Sequence, residues 1–326
     1  MKPICGETKP AIRSDGVRSD SLDDGRSVTR ALVSGAAGFT GRYVGAILAE
    51  QGLEVHGLVH GHLGEPIEGY VHLHEGDLTN PSQIERIVSS VRPDHVMHLG
   101  GIAYVAHDDV NQMYRVNVVG TRHLLDALSQ LPVRPNSVLL ASSANVYGNA
   151  RGGTIDETSP LAPANDYGVT KVAMEYVASI YRTVLPLIVV RPFNYTGRGQ
   201  GSQFIIPKIV EHARARSPII ELGNIDVARD FSDVRMVADA YARLLAAQAA
   251  IGGTFNVCSG RAVSLKDLLD LVTGISGHAF EVRVNPAFVR SNEVRSLHGS
   301  RAKIENLIGP LRRITLEETL RWMLDG

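Results

Sequence analysis

The chain is predicted to be an α/β protein built on a doubly wound parallel sheet, with a smaller α/β lobe assembled from separate stretches of sequence. From Thr29 onward, short and nearly continuous apolar runs alternate with helix-length segments. The runs are Ala31-Leu32-Val33, Val55 to Val59, Val96-Met97-His98-Leu99, Val138-Leu139-Leu140 and Leu187-Ile188-Val189-Val190. Strands buried on both faces of a parallel sheet read this way, because no face meets water to impose an alternation. Repeated strand–helix units wind such a sheet in two directions and leave a ligand crevice at the strands' carboxyl ends. After Arg191-Pro192 the rhythm breaks. Residues 29–192 are therefore assigned to the sheet domain. Residues 230–260 return to it through an amphipathic helix, Val234 to Gln248, and a short strand, Gly253 to Val257. Residues 193–229 and 261–326 form the smaller lobe.

The first strand runs into Gly35-Ala36-Ala37-Gly38-Phe39-Thr40-Gly41, with a helix expected after it. Glycines at this spacing permit a tight turn, close approach of backbone to a pyrophosphate, and phosphates facing the helix N-terminus. This makes residues 29–192 a Rossmann-type, dinucleotide-binding domain. Gly35, Gly38, Phe39, Thr40, Gly41, Leu99 and Gly100 are the candidate cofactor contacts. NAD sites place an acidic residue at the end of the second strand for the ribose 2′-OH. Here that strand ends Leu58-Val59-His60-Gly61-His62, with no carboxylate. Arg42 and His60 are instead placed for a 2′-phosphate, so NADP(H) is favoured over NAD(H). Asp77 and Leu78, after a third short strand, sit where an adenine edge would lie. Asp77 reads equally well as a helix cap.

The catalytic candidates are Tyr167 and Lys171, four residues apart and so on one helical face. A Lys ammonium beneath a Tyr hydroxyl is expected to lower its pKa. Ser142-Ser143 lies about two dozen residues upstream and supplies a hydroxyl for the same oxygen on which the Tyr acts. Such a trio beside a dinucleotide is a proton relay for hydride transfer.

Composition excludes several other classes. The chain has 326 residues, 44% of them hydrophobic, enough for a sizeable core, and a net charge of -1, which gives no drive toward nucleic acid or anionic membrane. Two cysteines, Cys5 and Cys258, make no disulfide framework and fit a reducing cytoplasm. No apolar run approaches the ~20 residues of a membrane span. Residues 1–28, rich in Ser, Asp, Gly and Arg, are expected to be a disordered tail. Five histidines between His56 and His74 lack a ligand pattern, and no metal is expected.

These motifs, together with His98-Leu99-Gly100-Gly101, Asn117-Val118-Val119-Gly120-Thr121, Ser142 to Gly148 and Arg191-Pro192-Phe193-Asn194, resemble the extended short-chain dehydrogenase/reductase family. The late segments Arg229 to Val234, Asn256 to Gly260 and Asn285 to Ser300 are most similar to its GDP-6-deoxy-D-mannose reductase group. The resemblance implies NADPH-dependent reduction of a C4 keto group on a nucleotide 4-keto-6-deoxy sugar. It points to GDP-4-dehydro-6-deoxy-D-mannose going to GDP-D-rhamnose, with a 6-deoxytalose-forming reductase, another nucleotide keto-sugar reductase or a 4-epimerase as alternatives. It selects Ser143, three residues before Val146, over Ser142. It also implies that Tyr167 protonates the alkoxide while Lys171 tunes it and binds the nicotinamide ribose. The 4,6-dehydratases of this family follow the Ser or Thr with an acid–base pair. Here those positions are Ala144 and Asn145, which cannot perform the elimination.

For the substrate, Arg229 is expected on the pyrophosphate, or else in an ion pair with Asp226 or Asp230. Lys208 assists, or is a solvated side chain. Arg290 and Glu293 are expected to frame the base, Asn194 to bind the substrate or position its loop, and mid-helical Asn117 to bridge backbone. A homodimer is expected through the helices around Asp109–Ser129 and Tyr167–Tyr181, whose apolar residues exceed one stripe. A catalytically silent NADP-binding regulator is the reading from another class, and retention of Tyr167 and Lys171 argues against it.

Overall fold

The structure, a computed structural model, describes residues 28–61, 65–105, 107–149, 153–286 and 296–326. The first half runs β1 (Arg30–Ser34), α1 (Phe39–Glu50), β2 (Glu54–Val59), β3 (His72–Glu75), α2 (Pro81–Val91) and β4 (His95–His98). Then come α3 (Val110–Tyr114), a π-helical turn (Arg115–Gly120), α4 (Thr121–Ser129), β5 (Ser137–Ala141), a 3-10 turn (Ala144–Tyr147), β6 (Thr154–Ile155), α5 (Asp166–Ile180) and β7 (Leu187–Pro192). The second half holds β8 (Asn194–Thr196), α6 (Ile205–Arg214), β9 (Ile219–Leu222), β10 (Ala228–Asp233), α7 (Val234–Ala246) and β11 (Thr254–Val257). It closes with β12 (Ala262–Ser264), α8 (Leu265–Ser276), β13 (Glu281–Val284), β14 (Ser296–Gly299), α9 (Ala302–Ile308) and α10 (Leu316–Leu324).

Seven strands form one parallel sheet in the order β11-β7-β5-β4-β1-β2-β3. The chain steps from β1 out to β3, then returns to β4 on the opposite side, so the winding reverses between β1 and β4. A ligand binds at such a reversal, beyond the carboxyl ends of the strands. The apolar runs are continuous because both faces are covered. Val33, Leu139 and Ile188 pack beneath α1 and α7, whereas Leu32, Val96 and Leu140 pack beneath α2, α4 and α5. Strand neighbours Ser34, His98 and Leu140 fall in register, so the turns leaving β1, β4 and β5 emerge side by side. Helix starts are chemically marked. Asn80 caps α2 ahead of Pro81, and Asn165 caps α5.

The smaller lobe holds a sheet in the order β12-β10-β14-β6, with β8 joined to β10, and a separate β13-β9 pair. Its own core lies among Ile206, Ile209, Leu268 and Leu320. β6, from the first half of the chain, pairs with β14 near the end. Asp230, fully buried, ties the layers together. Its carboxylate accepts from the Ser259 and Gly260 amides at 2.8 and 2.9 Å, from the Ser259 hydroxyl at 2.7 Å, and from the Gly299 amide at 3.2 Å. Burial raises the pKa of this carboxyl, and the four donors oppose it.

Candidate active site

A cleft of about 1280 Å³ runs from the glycine turn to the smaller lobe. That exceeds the ~300–1,000 Å³ of a typical single-ligand pocket. Its floor is the ends of β1, β4 and β5 with the first turn of α5. Its far wall is α6, β10 and the loop before β10.

At one end, Gly35, Gly38, Phe39, Thr40 and Gly41 line the cleft. Gly35 has φ +73°, and a Cβ there would lie 2.8 Å from the Gly100 amide nitrogen. Only glycine satisfies both limits. α1 starts at Gly38 with no side-chain cap, so its first amides are presented to the cleft without a competing hydroxyl or carboxylate. A long helix with an uncapped, glycine-lined start suits a pyrophosphate. The residues present therefore fit a nicotinamide dinucleotide. Thr40 is less simple than its sequence position indicates, since its hydroxyl pairs with Tyr195 Oη at 2.7 Å. The Gly100 amide donates to Ser34 Oγ at 3.1 Å, so that glycine supports the turn, and Leu99 and Gly101 line the cleft beside it.

The expected adenosine contacts lie outside the cleft wall. Arg42 is exposed, and its Nε donates to the Ala37 carbonyl at 3.2 Å, across the glycine turn. His60 is 78% exposed and 4.0 Å from the Asp77 carboxylate. Asp77 Oδ1 also accepts from the Thr79 amide at 2.8 Å, and Leu78 is buried in the core. Asp77 thus shapes its own turn; the helix cap here is Asn80. Among the histidines, His56, His72 and His74 stack on the β2–β3 edge, and desolvation with their mutual repulsion pushes His74 down to about 4. No group that would hold a metal ion occurs among the described residues.

The catalytic candidates converge at the floor. Ser143 leaves β5 as the cap of the 3-10 turn, and Tyr167 and Lys171 rise from α5 opposite it; all three are buried. Ser142, the competing serine, points away and donates to Glu175 at 2.5 Å. Lys171 Nζ donates to the Ala141 carbonyl at 2.8 Å and lies 5.9 Å from the Tyr167 ring centroid. Burial lowers Lys171 to about 8, and the Glu175 carboxylate opposes that shift. The expected lowering of the Tyr167 pKa by Lys171 is not what this arrangement produces. Burial pushes the phenol upward, and Ser143 is the group that pulls it back.

Asn117 bridges backbone. Its amide donates to the Ile102 carbonyl at 3.0 Å and accepts from the Ile102 amide at 2.7 Å. It also donates to Thr170 Oγ1 at 3.1 Å, locking the Gly101 loop to α5. The π-helical turn around it is the extra residue that aims this side chain inward.

On the far wall, Asn194, Lys208 and Arg229 line the cleft. Asn194 donates to the Asp230 carbonyl at 3.3 Å, Lys208 to the Glu221 carbonyl at 2.7 Å, and Arg229 to the Ala228 carbonyl at 2.9 Å. The Asp230 carboxylate is committed to the Ser259, Gly260 and Gly299 donors. Arg290 and Glu293 lie outside the described residues. Sequence reasoning passed over Tyr104 and Phe204, which meet edge to face at 6.1 Å in the cleft wall. It also passed over the Glu175–Arg191 pair behind Ser142, where the only signal was Glu at i+4 from Lys171.

A buried tyrosine, a buried lysine one turn on and a serine at the neighbouring strand end, facing a dinucleotide turn across a doubly wound sheet, define a short-chain dehydrogenase/reductase, an NAD(P)-dependent oxidoreductase. A family profile described as GDP-mannose 4,6 dehydratase matches residues 32–323, and the chain belongs to that family. It is 32% identical to the GDP-6-deoxy-D-talose 4-dehydrogenase of Aggregatibacter actinomycetemcomitans, over 87% of this chain and 92% of the relative. It is also 32% identical to the GDP-6-deoxy-D-mannose reductase of Pseudomonas aeruginosa, over 90% of this chain and 96% of the relative. Among solved structures, a Burkholderia cenocepacia chain provisionally named an epimerase superposes with TM-score 0.86 at 48% identity, covering 91% of this chain and 97% of that one. The Pseudomonas aeruginosa protein RMD, solved with NADPH, gives TM-score 0.77 at 31% identity, with 91% and 97% covered.

Proposed function

We propose that the protein reduces the C4 keto group of a nucleotide 4-keto-6-deoxy sugar with NADPH, and that the substrate is GDP-4-dehydro-6-deoxy-D-mannose and the product GDP-D-rhamnose. The observation that carries this reading is the meeting of Ser143, Tyr167 and Lys171 at the cleft floor with Ala144 and Asn145 beside them. The family's shared redox groups are present, while the two positions that would move protons in dehydration hold an alkyl group and an amide.

A bound nicotinamide dinucleotide would supply the hydride that C4 gains. Tyr167 gives its proton to the oxygen that gains charge, and Ser143 donates a hydrogen bond to the same atom. Positioned acid catalysis contributes about two to four powers of ten in rate. A preorganised donor to the oxyanion contributes a comparable factor. Lys171, buried and held by the Ala141 carbonyl, keeps a cation below the tyrosine and binds the nicotinamide ribose. Arg229 is assigned to the substrate pyrophosphate, with Lys208 and Asn194 beside it. Arg42 is assigned to the 2′-phosphate of NADPH, which is the dinucleotide bound by the RMD relative. No described helix is long and apolar enough to cross a membrane.

The talose dehydrogenase relative, equal in identity to the mannose reductase, favours a second reading in which hydride reaches the other face of C4. The deciding experiment is NADPH oxidation with GDP-4-dehydro-6-deoxy-D-mannose, the product sugar identified by NMR, and Tyr167→Phe as control. GDP-rhamnose formed by the wild type, with the rate of Tyr167→Phe reduced about 10²–10⁴-fold, is the expected result. GDP-6-deoxytalose would replace the product assignment. No oxidation would overturn the GDP-sugar reading.

A further inference from the structure

Asn145 stands where the family's dehydratases carry a proton-transferring side chain, yet it is not an inert replacement. Its backbone amide and its side-chain Nδ2 both donate to Ser143 Oγ, each at 3.1 Å. A serine hydroxyl has two acceptor lone pairs and one proton. With both lone pairs filled, Ser143 has only its proton left to offer, to the Tyr167 phenol as the two groups stand and to a substrate oxygen set between them.

The direction of that amide is itself fixed. Asn165 caps α5 by accepting from the Gly168 amide at 2.8 Å. A main-chain N–H can only donate, so Asn165 must turn its oxygen to Gly168 and its nitrogen outward. That nitrogen meets Asn145 Oδ1 at 3.5 Å. An inverted Asn145 would set two NH₂ groups against each other, so Oδ1 faces Asn165 and Nδ2 faces Ser143. The polarity runs in one sense from the first turn of the helix that carries Tyr167 to the hydroxyl beside that tyrosine.

We propose that Asn145, oriented by Asn165, is a positioning residue that makes Ser143 an obligate hydrogen-bond donor toward the substrate's C4 oxygen. The inference rests on the ketone-reduction reading above. In this role the residue supports carbonyl reduction, which needs a donor at that oxygen. A serine free to rotate would spend part of its time with its proton turned away from that oxygen.

The test compares isosteric and non-isosteric changes by steady-state NADPH oxidation with the keto sugar that the wild type turns over. Asn145→Ala leaves Ser143 with only the backbone amide of residue 145 as a donor and one lone pair open, and lowers kcat about 10-fold, the scale of one neutral hydrogen bond. Asn145→Asp keeps the shape but presents only acceptors, so Ser143 gives its proton to the carboxylate. Its kcat falls further, about 100-fold, as for loss of an oxyanion donor. KM and NADPH affinity stay near wild type in both. In a Ser143→Ala background neither change lowers the rate further, because the group they act through is gone. If Asp is better tolerated than Ala, as shape alone dictates, or if the effects add to Ser143→Ala, the inference is overturned. A wild type inert toward every nucleotide keto sugar overturns the reductase reading and this role together. An active wild type with additive variants overturns this role alone.

Discussion

Glu175→Gln tests whether the buried ion pair behind the site acts on chemistry as well as on stability. Glu175 lies four residues after Lys171, on the same face of α5. Its carboxylate accepts from Arg191 Nε at 2.9 Å and Nη2 at 2.6 Å, and from Ser142 Oγ at 2.5 Å. The two side chains are only 11% and 8% exposed, so solvent screens them little. Glutamine keeps the shape but leaves the Arg191 cation buried without its counterion, at a cost of about 3–5 kcal/mol. At about 2–4 °C per kcal/mol for a large domain, Tm should fall by about 10 °C. Replacing both partners with methionine should recover much of that loss, because no buried charge then remains. The chemical consequence is separate. Burial lowers Lys171 from 10.5 to about 8, and Glu175 is what holds it from falling further. For a base with a depressed folded pKa, the penalty for burying its charge is complete below pH 8 and absent above 10.5. Wild-type stability from this group therefore rises with pH across that window. Catalysis runs the other way, since the ammonium is lost above about pH 8. The assay is kcat against pH beside a thermal melt. The basic limb of the Gln variant should move to lower pH while Tm drops. A basic limb that stays put while Tm drops would make Glu175 a structural residue only and refute the electrostatic part of the argument.

Two further predictions concern the ends of the molecule's ligands and its surface. Arg42→Ala should raise KM for NADPH about 10-fold and leave KM for NADH unchanged, since it removes a charge-assisted contact to the 2′-phosphate alone. Equal effects on both cofactors would remove Arg42 from that role. The exposed face of α5 carries Val169, Tyr176 and Ile180, at 38%, 67% and 72% exposure, which is the apolar surface that a homodimer would cover. Tyr176→Glu with Ile180→Glu should convert a dimer to a monomer in analytical ultracentrifugation, and a wild type already monomeric would end the dimer expectation.

The sheet was legible in the sequence because burial on both faces leaves an unmistakable signature. Leu32-Val33, Val96-Met97 and Leu139-Leu140 have no polar alternative to point outward. Tyr167 and Lys171 were legible because helical spacing fixes their relation before any tertiary contact forms. What escaped were features set by contacts distant in sequence. β6 is two residues long, and its partner β14 lies more than 140 positions later, so no local pattern marks it. The Thr40–Tyr195 pair spans 155 positions and changes what Thr40 is free to do. The direction of the Tyr167 pKa shift is hidden from the sequence for the same reason. Spacing placed a cation beneath the phenol, but only the fold shows how deeply both groups are buried, and desolvation acts on each before they act on one another.

Membership of a dehydratase family and a proposed reductase activity fit together once the shared and variable steps are separated in space. In the proposed reaction, dinucleotide binding and hydride transfer at C4 fall to Ser143, Tyr167 and Lys171, which sit just after β5 and on α5, elements buried in the core. Proton transfer at the neighbouring carbons, as the family resemblance assigns it in dehydratases, would fall to the turn just after Ser143, which lies outside the sheet. That turn is pressed against α5. A Cβ on Gly168 would lie 2.7 Å from the Asn145 carbonyl oxygen, so a side chain there would push Tyr167 away from Ser143. With the turn held so closely, Asn145 in place of a proton-transferring side chain would remove proton transfer at the neighbouring carbons while leaving the distance between Ser143 and Tyr167 intact. Gly168→Ala, which alters that distance and no chemical group, should therefore lower kcat toward the level of Ser143→Ala with Asn145 untouched. A Gly168→Ala enzyme with wild-type kcat would show that the close packing of α5 on the turn is dispensable for catalysis.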